Sequence, residues 1–120
     1  MPESQTTVLI LAREELISAL LGLFVESLGH TPLFANPGEG TTDAVRRLRP
    51  GGVVIVDCDH TDCNEDLMQA AKDVGARLIL FSASREAEYV KKAAAPSHSQ
   101  SFTFPIQPPE LDSIIRRLHS

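Results

Sequence analysis

The sequence is poor in cysteine, in long apolar runs and in positive charge. It holds two cysteines in 120 residues, Cys58 and Cys63. Two cysteines make no disulfide framework, and in a reducing compartment both stay thiols. No apolar run approaches the ~18 residues of a membrane-spanning helix. The opening residues, Met1-Pro2-Glu3-Ser4-Gln5-Thr6-Thr7, carry no basic stretch ahead of the first apolar run. A secretory signal has such a stretch, so the expectation is a cytoplasmic protein with no membrane segment. Lys and Arg number 11 against 16 Asp and Glu, a net charge of −5. Contact with a phosphate backbone needs clustered cations, so no nucleic-acid partner is expected. The densest basic group, Arg46, Arg47 and Arg49, reads as the solvated side of a short helix.

Several catalytic signatures are also missing. No glycine-rich phosphate loop follows the first apolar run, which argues against a dinucleotide-binding fold. There is no G-x-S-x-G elbow of a serine hydrolase. His30, His98 and His119 lack acid or serine partners at motif spacing and are given no catalytic role. No internal linker, repeat or low-complexity stretch interrupts the chain, so residues 1–120 are expected to form one domain.

What is present is a core. Apolar residues make up 42% of the chain and its mean hydropathy is −0.04, which excludes disorder. Three short runs are wholly apolar: Val8-Leu9-Ile10-Leu11, Val53-Val54-Ile55-Val56 and Leu78-Ile79-Leu80-Phe81. Such runs suit strands covered on both faces, as in a parallel sheet between two helix layers. Residues 32–35 and 101–104 are weaker and suit edge strands, Pro32 especially.

Helical patterns lie between them. Leu16, Ile17, Leu20, Leu21, Phe24, Val25 and Leu28 form an apolar stripe that Gly29 can end. Further helices are expected over Thr41–Leu48, over about Asn64–Val74, from an N-cap at Ser84 to about Ala94, and from Pro108-Pro109 onward. Five strand–helix units with right-handed crossovers predict a flavodoxin-like, doubly wound (βα)5 domain with strand order 2-1-3-4-5. Its chemistry should lie beyond the C-terminal ends of the central strands.

Those ends read Ala12-Arg13-Glu14-Glu15, Asp57-Cys58-Asp59, Ser82-Ala83 and Phe104-Pro105. With them stand Arg49-Pro50-Gly51-Gly52-Val53-Val54-Ile55-Val56-Asp57, Leu80-Phe81-Ser82-Ala83-Ser84 and Phe104-Pro105-Ile106 ahead of Pro109-Glu110-Leu111. Over nearly its whole length the chain resembles the receiver domains of two-component response regulators. The resemblance implies phosphoryl transfer from a histidine kinase or phosphotransferase to an aspartate, here Asp57. It implies a hydroxyl contact to the phosphoryl group from Ser82. It further implies an acidic pair for Mg²⁺ after the first strand and a Lys before the proline of the fifth.

The sequence departs from that pattern at the last two places. Ala12 and Arg13 stand where the acidic pair belongs, and Phe104 stands in place of the Lys. Ser101 replaces the aromatic residue expected three positions earlier, and the loop after Asp57 lacks the usual proline and glycine. Mg²⁺ demands octahedral oxygen ligands and neutralises the transferring oxygens, so losing these groups weakens both binding and transfer. Glu14, Asp57 and Asp59 remain as weak candidate ligands. Arg13 is placed to reach Asp57: unit charges ~4 Å apart attract by ~4 kcal/mol at an effective dielectric of ~20, before desolvation.

The expectation is therefore an atypical receiver acting by protein–protein contact, with Mg²⁺-dependent phosphorylation weak or lost. The alternative is a working phosphoacceptor at Asp57, with no enzyme activity beyond phosphorylation and dephosphorylation of itself. A third reading is a metal or redox sensor through Cys58, His60 and Cys63, although C-x-H-x-x-C is not a strong zinc spacing. Each residue also has a plain structural reading. Asp57 would cap a turn, Ser82 would end a strand, Phe104 would pack, and Cys58 would face the core. The expected partners are a histidine kinase, a phosphotransferase or an output domain, or a second copy. The resemblance places such contacts on the face of the fourth helix, fifth strand and fifth helix, where Tyr89 and Phe102 are the candidates.

Overall fold

The computed structural model describes residues 6–59, 64–95 and 99–118. Five strands alternate with five helices: β1 (Thr7–Leu11), α1 (Glu15–Ser27), β2 (Thr31–Phe34), α2 (Thr41–Arg46), β3 (Val53–Asp57), α3 (Glu65–Val74), β4 (Arg77–Ser82), α4 (Ala87–Ala94), β5 (Gln100–Thr103) and α5 (Pro108–Leu118). The strands form one parallel sheet in the order β2-β1-β3-β4-β5, as expected. Among the described residues, no helix is long and apolar enough to cross a membrane.

Strand alternation builds two cores. Val8, Ile10, Val53, Ile55, Ile79 and Phe81 point to one face, where α1 and α5 cover them with Leu21, Val25, Leu111, Ile114 and Ile115. Leu9, Leu11, Val54, Val56, Leu78 and Leu80 point to the other, under Ala44 and Val45 of α2, Leu67 and Ala70 of α3, and Val90 and Ala94 of α4. Burial on both faces explains why these strands read as unbroken apolar runs. Phe102 of β5 belongs to the first core and stacks on Phe81 with ring centroids 5.2 Å apart.

The helix ends follow local chemistry. Asn64 caps α3, its side-chain oxygen accepting from the Leu67 N–H at 3.1 Å. Gly75 ends that helix at φ 74°, in the left-handed region that glycine enters most easily. In α1, Gly22 lies under the Phe34 ring of the edge strand. A Cβ there would sit 2.7 Å from the Phe34 Cζ, so the close approach needs glycine unless the ring moves.

Several expected details differ. Leu16, expected in the first stripe, is 79% exposed. At about 100° per residue it lies about 130° from the centre of the face made by Leu21, Phe24 and Val25. Residues 47–48 leave α2, with buried Leu48 continuing its core contact from a turn. The edge strands are each shifted one residue earlier than expected, leaving Ala35 and Phe104 outside them. Helix α4 begins at Ala87 with Glu86 at the N-cap, so Ser84 does not cap it. The Ser84 hydroxyl bonds the Asp59 carboxylate instead.

The central strand should be sensitive and the outer side of α1 should not. Ile55→Val removes one methylene from a fully buried site and is expected to cost about 0.5–1.5 kcal/mol. Leu16→Ala should stay within about 0.5 kcal/mol. Urea unfolding midpoints at unchanged slope measure both, and equal effects would contradict the assignment of faces.

Candidate functional site

The parallel register brings the ends of β3 and β4 side by side. Asp57 pairs with Phe81, and the next residue of β4 is Ser82. Both polar side chains are buried at the edge of the core; Asp57 is 6% exposed and Ser82 is fully covered. The chain turns immediately after Asp57. The Cys58 N–H donates to the Phe81 carbonyl oxygen at 2.8 Å, and the Asp59 N–H donates to Asp57 Oδ1 at 2.9 Å. Asp57 thus caps its own turn, and that turn returns Asp59 towards β4.

Asp59 is the hub of the site. Its Oδ2 accepts from Ser82 Oγ and from Ser84 Oγ, each at 2.8 Å. Its Oδ1 lies 3.4 Å from Arg85 Nε. Ser82 Oγ accepts in turn from the backbone N–H groups of Ser84 (3.1 Å) and Arg85 (2.8 Å). One donor and two acceptor bonds use the full capacity of a hydroxyl. Arg13, after β1, reaches across the strand ends and donates from Nη1 to the Asp59 carbonyl oxygen at 3.1 Å. The cation foreseen beside Asp57 is therefore present at this end of the sheet, with its hydrogen bond on Asp59.

Burial pushes the Asp59 carboxyl up, but the Ser82 and Ser84 hydroxyls and the charges of Arg85 and Arg13 outweigh burial and hold it below its ordinary value. These hydroxyl bonds to a carboxylate are charge-assisted, the stronger kind.

The other sequence-named residues are distributed around this hub. Ala12 is half-buried and packs against the α1/α5 core; Glu14 is exposed at the N-cap of α1, with no side-chain bond to the helix. Phe104 follows β5. Its N–H donates to the Ser82 carbonyl oxygen at 2.8 Å, and its ring tilts against Phe81 at 6.5 Å. The bond to Pro105 is cis. Cys58 is half-buried beside the α2–α4 core; His60 and Cys63 lie outside the described residues. Among the described residues, no three His, Cys, Asp or Glu side chains gather as ligands for a cation. Asp59, one of the weak candidates, has both carboxylate oxygens engaged by hydroxyls or a guanidinium.

On the expected partner face, Val90, Lys91, Phe102, Ile106, Ile114 and Arg117 help line a groove of ≈ 390 Å³. Tyr89 does not line this groove; it is 45% exposed on α4, with the Arg85 guanidinium 4.7 Å from its ring centroid. Phe102 is a correction to the docking pair: its ring is spent on the stack with Phe81 and is almost covered. Arg85 was not singled out from sequence, and Ser84 was read only as a helix cap. The one signal for them was their position directly after Ser82.

With the geometry in place, the chain can be set beside solved structures. It is similar to the receiver domain of a sensor histidine kinase from Pseudomonas aeruginosa, solved with a magnesium ion in its active-site cleft. The identity is 15%, covering 94% of this chain and 96% of that one, with a TM-score of 0.74. It is similar to a response regulator receiver protein from Burkholderia phymatum, at 14% identity over 92% and 95% of the two chains and a TM-score of 0.72. It is similar to a chemotaxis protein from Vibrio cholerae, at 15% identity over 94% and 98% and a TM-score of 0.71. No protein-family model and no curated protein sequence matches. The chain has the receiver fold.

Asp59 gives this site a pH signature. A carboxylate held below its ordinary value stabilises the fold above that value and loses this contribution as pH falls through the lowered one. Asp59→Asn should therefore destabilise the protein by about 1–2 kcal/mol at neutral pH. The gap to wild type should close as pH falls below the ordinary value of 3.8. Thermal unfolding across pH checks this, and a gap that widens on acidification would contradict it.

Proposed function

We propose that this chain is a receiver-type signalling domain that works by binding a protein partner, without Mg²⁺-dependent phosphorylation at Asp57. The observation that carries this is the state of the Asp59 carboxylate. It holds the Ser82 and Ser84 hydroxyls and pairs with Arg85, while Arg13 binds the Asp59 main-chain carbonyl and adds its charge nearby. In a phosphoaccepting receiver, Ser82 would be the hydroxyl for the phosphoryl oxygens. Here it is already saturated by an anion of the chain itself.

The residues do not fit Mg²⁺. An octahedral oxygen site needs carboxylates free to face the ion. Ala12 supplies none, Arg13 brings positive charge, and Asp59 is committed to Ser82 and Ser84. Phosphoryl transfer depends chiefly on positioning and on neutralising charge, and Phe104 offers neither at the place of the Lys. No phosphoryl step is therefore assigned. The receiver fold and the groove beside α4, β5 and α5 support a partner surface instead. A histidine kinase, a phosphotransferase, an output domain or a second copy are the partner classes this fold suggests.

A working phosphoacceptor is the second reading. The buried Asp57 carboxylate at the end of β3, two residues before Asp59 and beside Ser82, favours it.

Acetyl phosphate with Mg²⁺, read by intact mass beside an Asp57→Asn control, separates the two. The expected result is no phosphoryl increment on either protein. An increment on wild type that requires both Mg²⁺ and Asp57 would overturn the first reading and establish the second.

A further inference from the structure

The exposed face of α4 is wired to the strand-end site by one side chain. Arg85 lies between them: its Nε is 3.4 Å from Asp59 Oδ1, and its Cζ is 4.7 Å from the centroid of the Tyr89 ring. A guanidinium is a planar cation that can pair with a carboxylate at its edge and rest on an aromatic ring with its face. The backbone beneath it is fixed as well, because the Arg85 N–H donates to Ser82 Oγ, which donates to Asp59 Oδ2. Tyr89 is 45% exposed on the outer side of α4.

We propose that Asp59 is a tethered anion that occupies an oxyanion cradle made by Ser82, Ser84 and Arg85, and that through Arg85 it sets the position of Tyr89 on the exposed side of α4. The cradle suits a phosphate-type oxyanion: two hydroxyls donate to one carboxylate oxygen and the Arg85 guanidinium lies beside the other. Asp59 fills it from within the chain, so the face of α4 stays in one arrangement without any modification of Asp57. The inference rests on the reading above only for the use of that face; the coupling itself is independent of whether Asp57 accepts a phosphoryl group.

The chain has one tyrosine and no tryptophan, so a tyrosine-labelled sample gives the ring signals of Tyr89 alone. NMR of the full chain is then a direct readout. Asp59→Ala and Arg85→Met should both shift these signals, whereas Lys72→Gln on α3 should leave them in place. Inorganic phosphate should return the Asp59→Ala signals towards the wild-type position and should not move those of wild type. Asp59→Asn keeps the shape and removes the charge, and it should shift the ring in the same direction even if the alanine variant fails to fold. Ring signals of Asp59→Asn that coincide with wild type would overturn the coupling. Asp59→Ala signals that ignore phosphate would overturn the cradle. Neither result depends on acetyl phosphate labelling, so a failure here and a failure of the proposed function are told apart.

Discussion

The strand-end site is organised around a single carboxylate that the protein aims at itself. Asp59 sits two residues beyond the last strand residue of β3, and its position is set by the N–H it gives to Asp57. From there its carboxylate collects two hydroxyls and Arg85, while its main-chain carbonyl takes Arg13. A buried hydroxyl without a partner is costly, and a partly covered carboxylate is costly unless it is paired. Each side solves the problem of the other. The tie also closes the gap between β3 and the loop after β4, which is where this fold places its chemistry.

The rest of the domain supplies the frame for that contact. Two apolar layers pin the sheet from both sides, so the ends of β1, β3 and β4 cannot slip relative to one another without moving whole layers of core side chains. Phe81 is central to this. It lies one residue before Ser82, pairs across the sheet with Asp57, stacks on Phe102 and touches Phe104. An aromatic at position 104 therefore extends the core towards the strand ends, at the place where the receiver resemblance leads one to expect a cation. The same end of the sheet gains its positive charge from Arg13 and Arg85. The charges of the site have been redistributed around an internal anion.

The fold was legible because its signal is hydrophobic and local. Three unbroken apolar runs spaced by helical patterns leave little choice of topology, and the register follows from burial. The expectations that failed did so for tertiary reasons. Leu16 has the composition of the α1 stripe but the wrong angle around the helix. Ser84 has the chemistry of an N-cap, yet a carboxylate 25 residues away in sequence binds it instead. Phe102 looked like a docking residue until the stack with Phe81 claimed it. The site was half legible. Asp57, Ser82 and Arg13 could be placed from strand ends. The role of Asp59 could not, because a two-residue turn decides whether a carboxylate faces a metal, solvent or a neighbouring hydroxyl, and that turn has no sequence signature. Arg85 escaped notice because its function is defined by two partners, Asp59 and Tyr89, that only the folded chain brings to it.

The most direct measurement of the central claim is a Mg²⁺ titration followed by NMR at the backbone amides of Asp57, Asp59, Ser82 and Ser84. If Asp59 is committed to its hydroxyls and flanked by Arg13 and Arg85, these amides should show no saturable shift as the ion is added. A saturating shift confined to those four amides would mean that the carboxylate leaves its partners for a metal, and it would contradict the account.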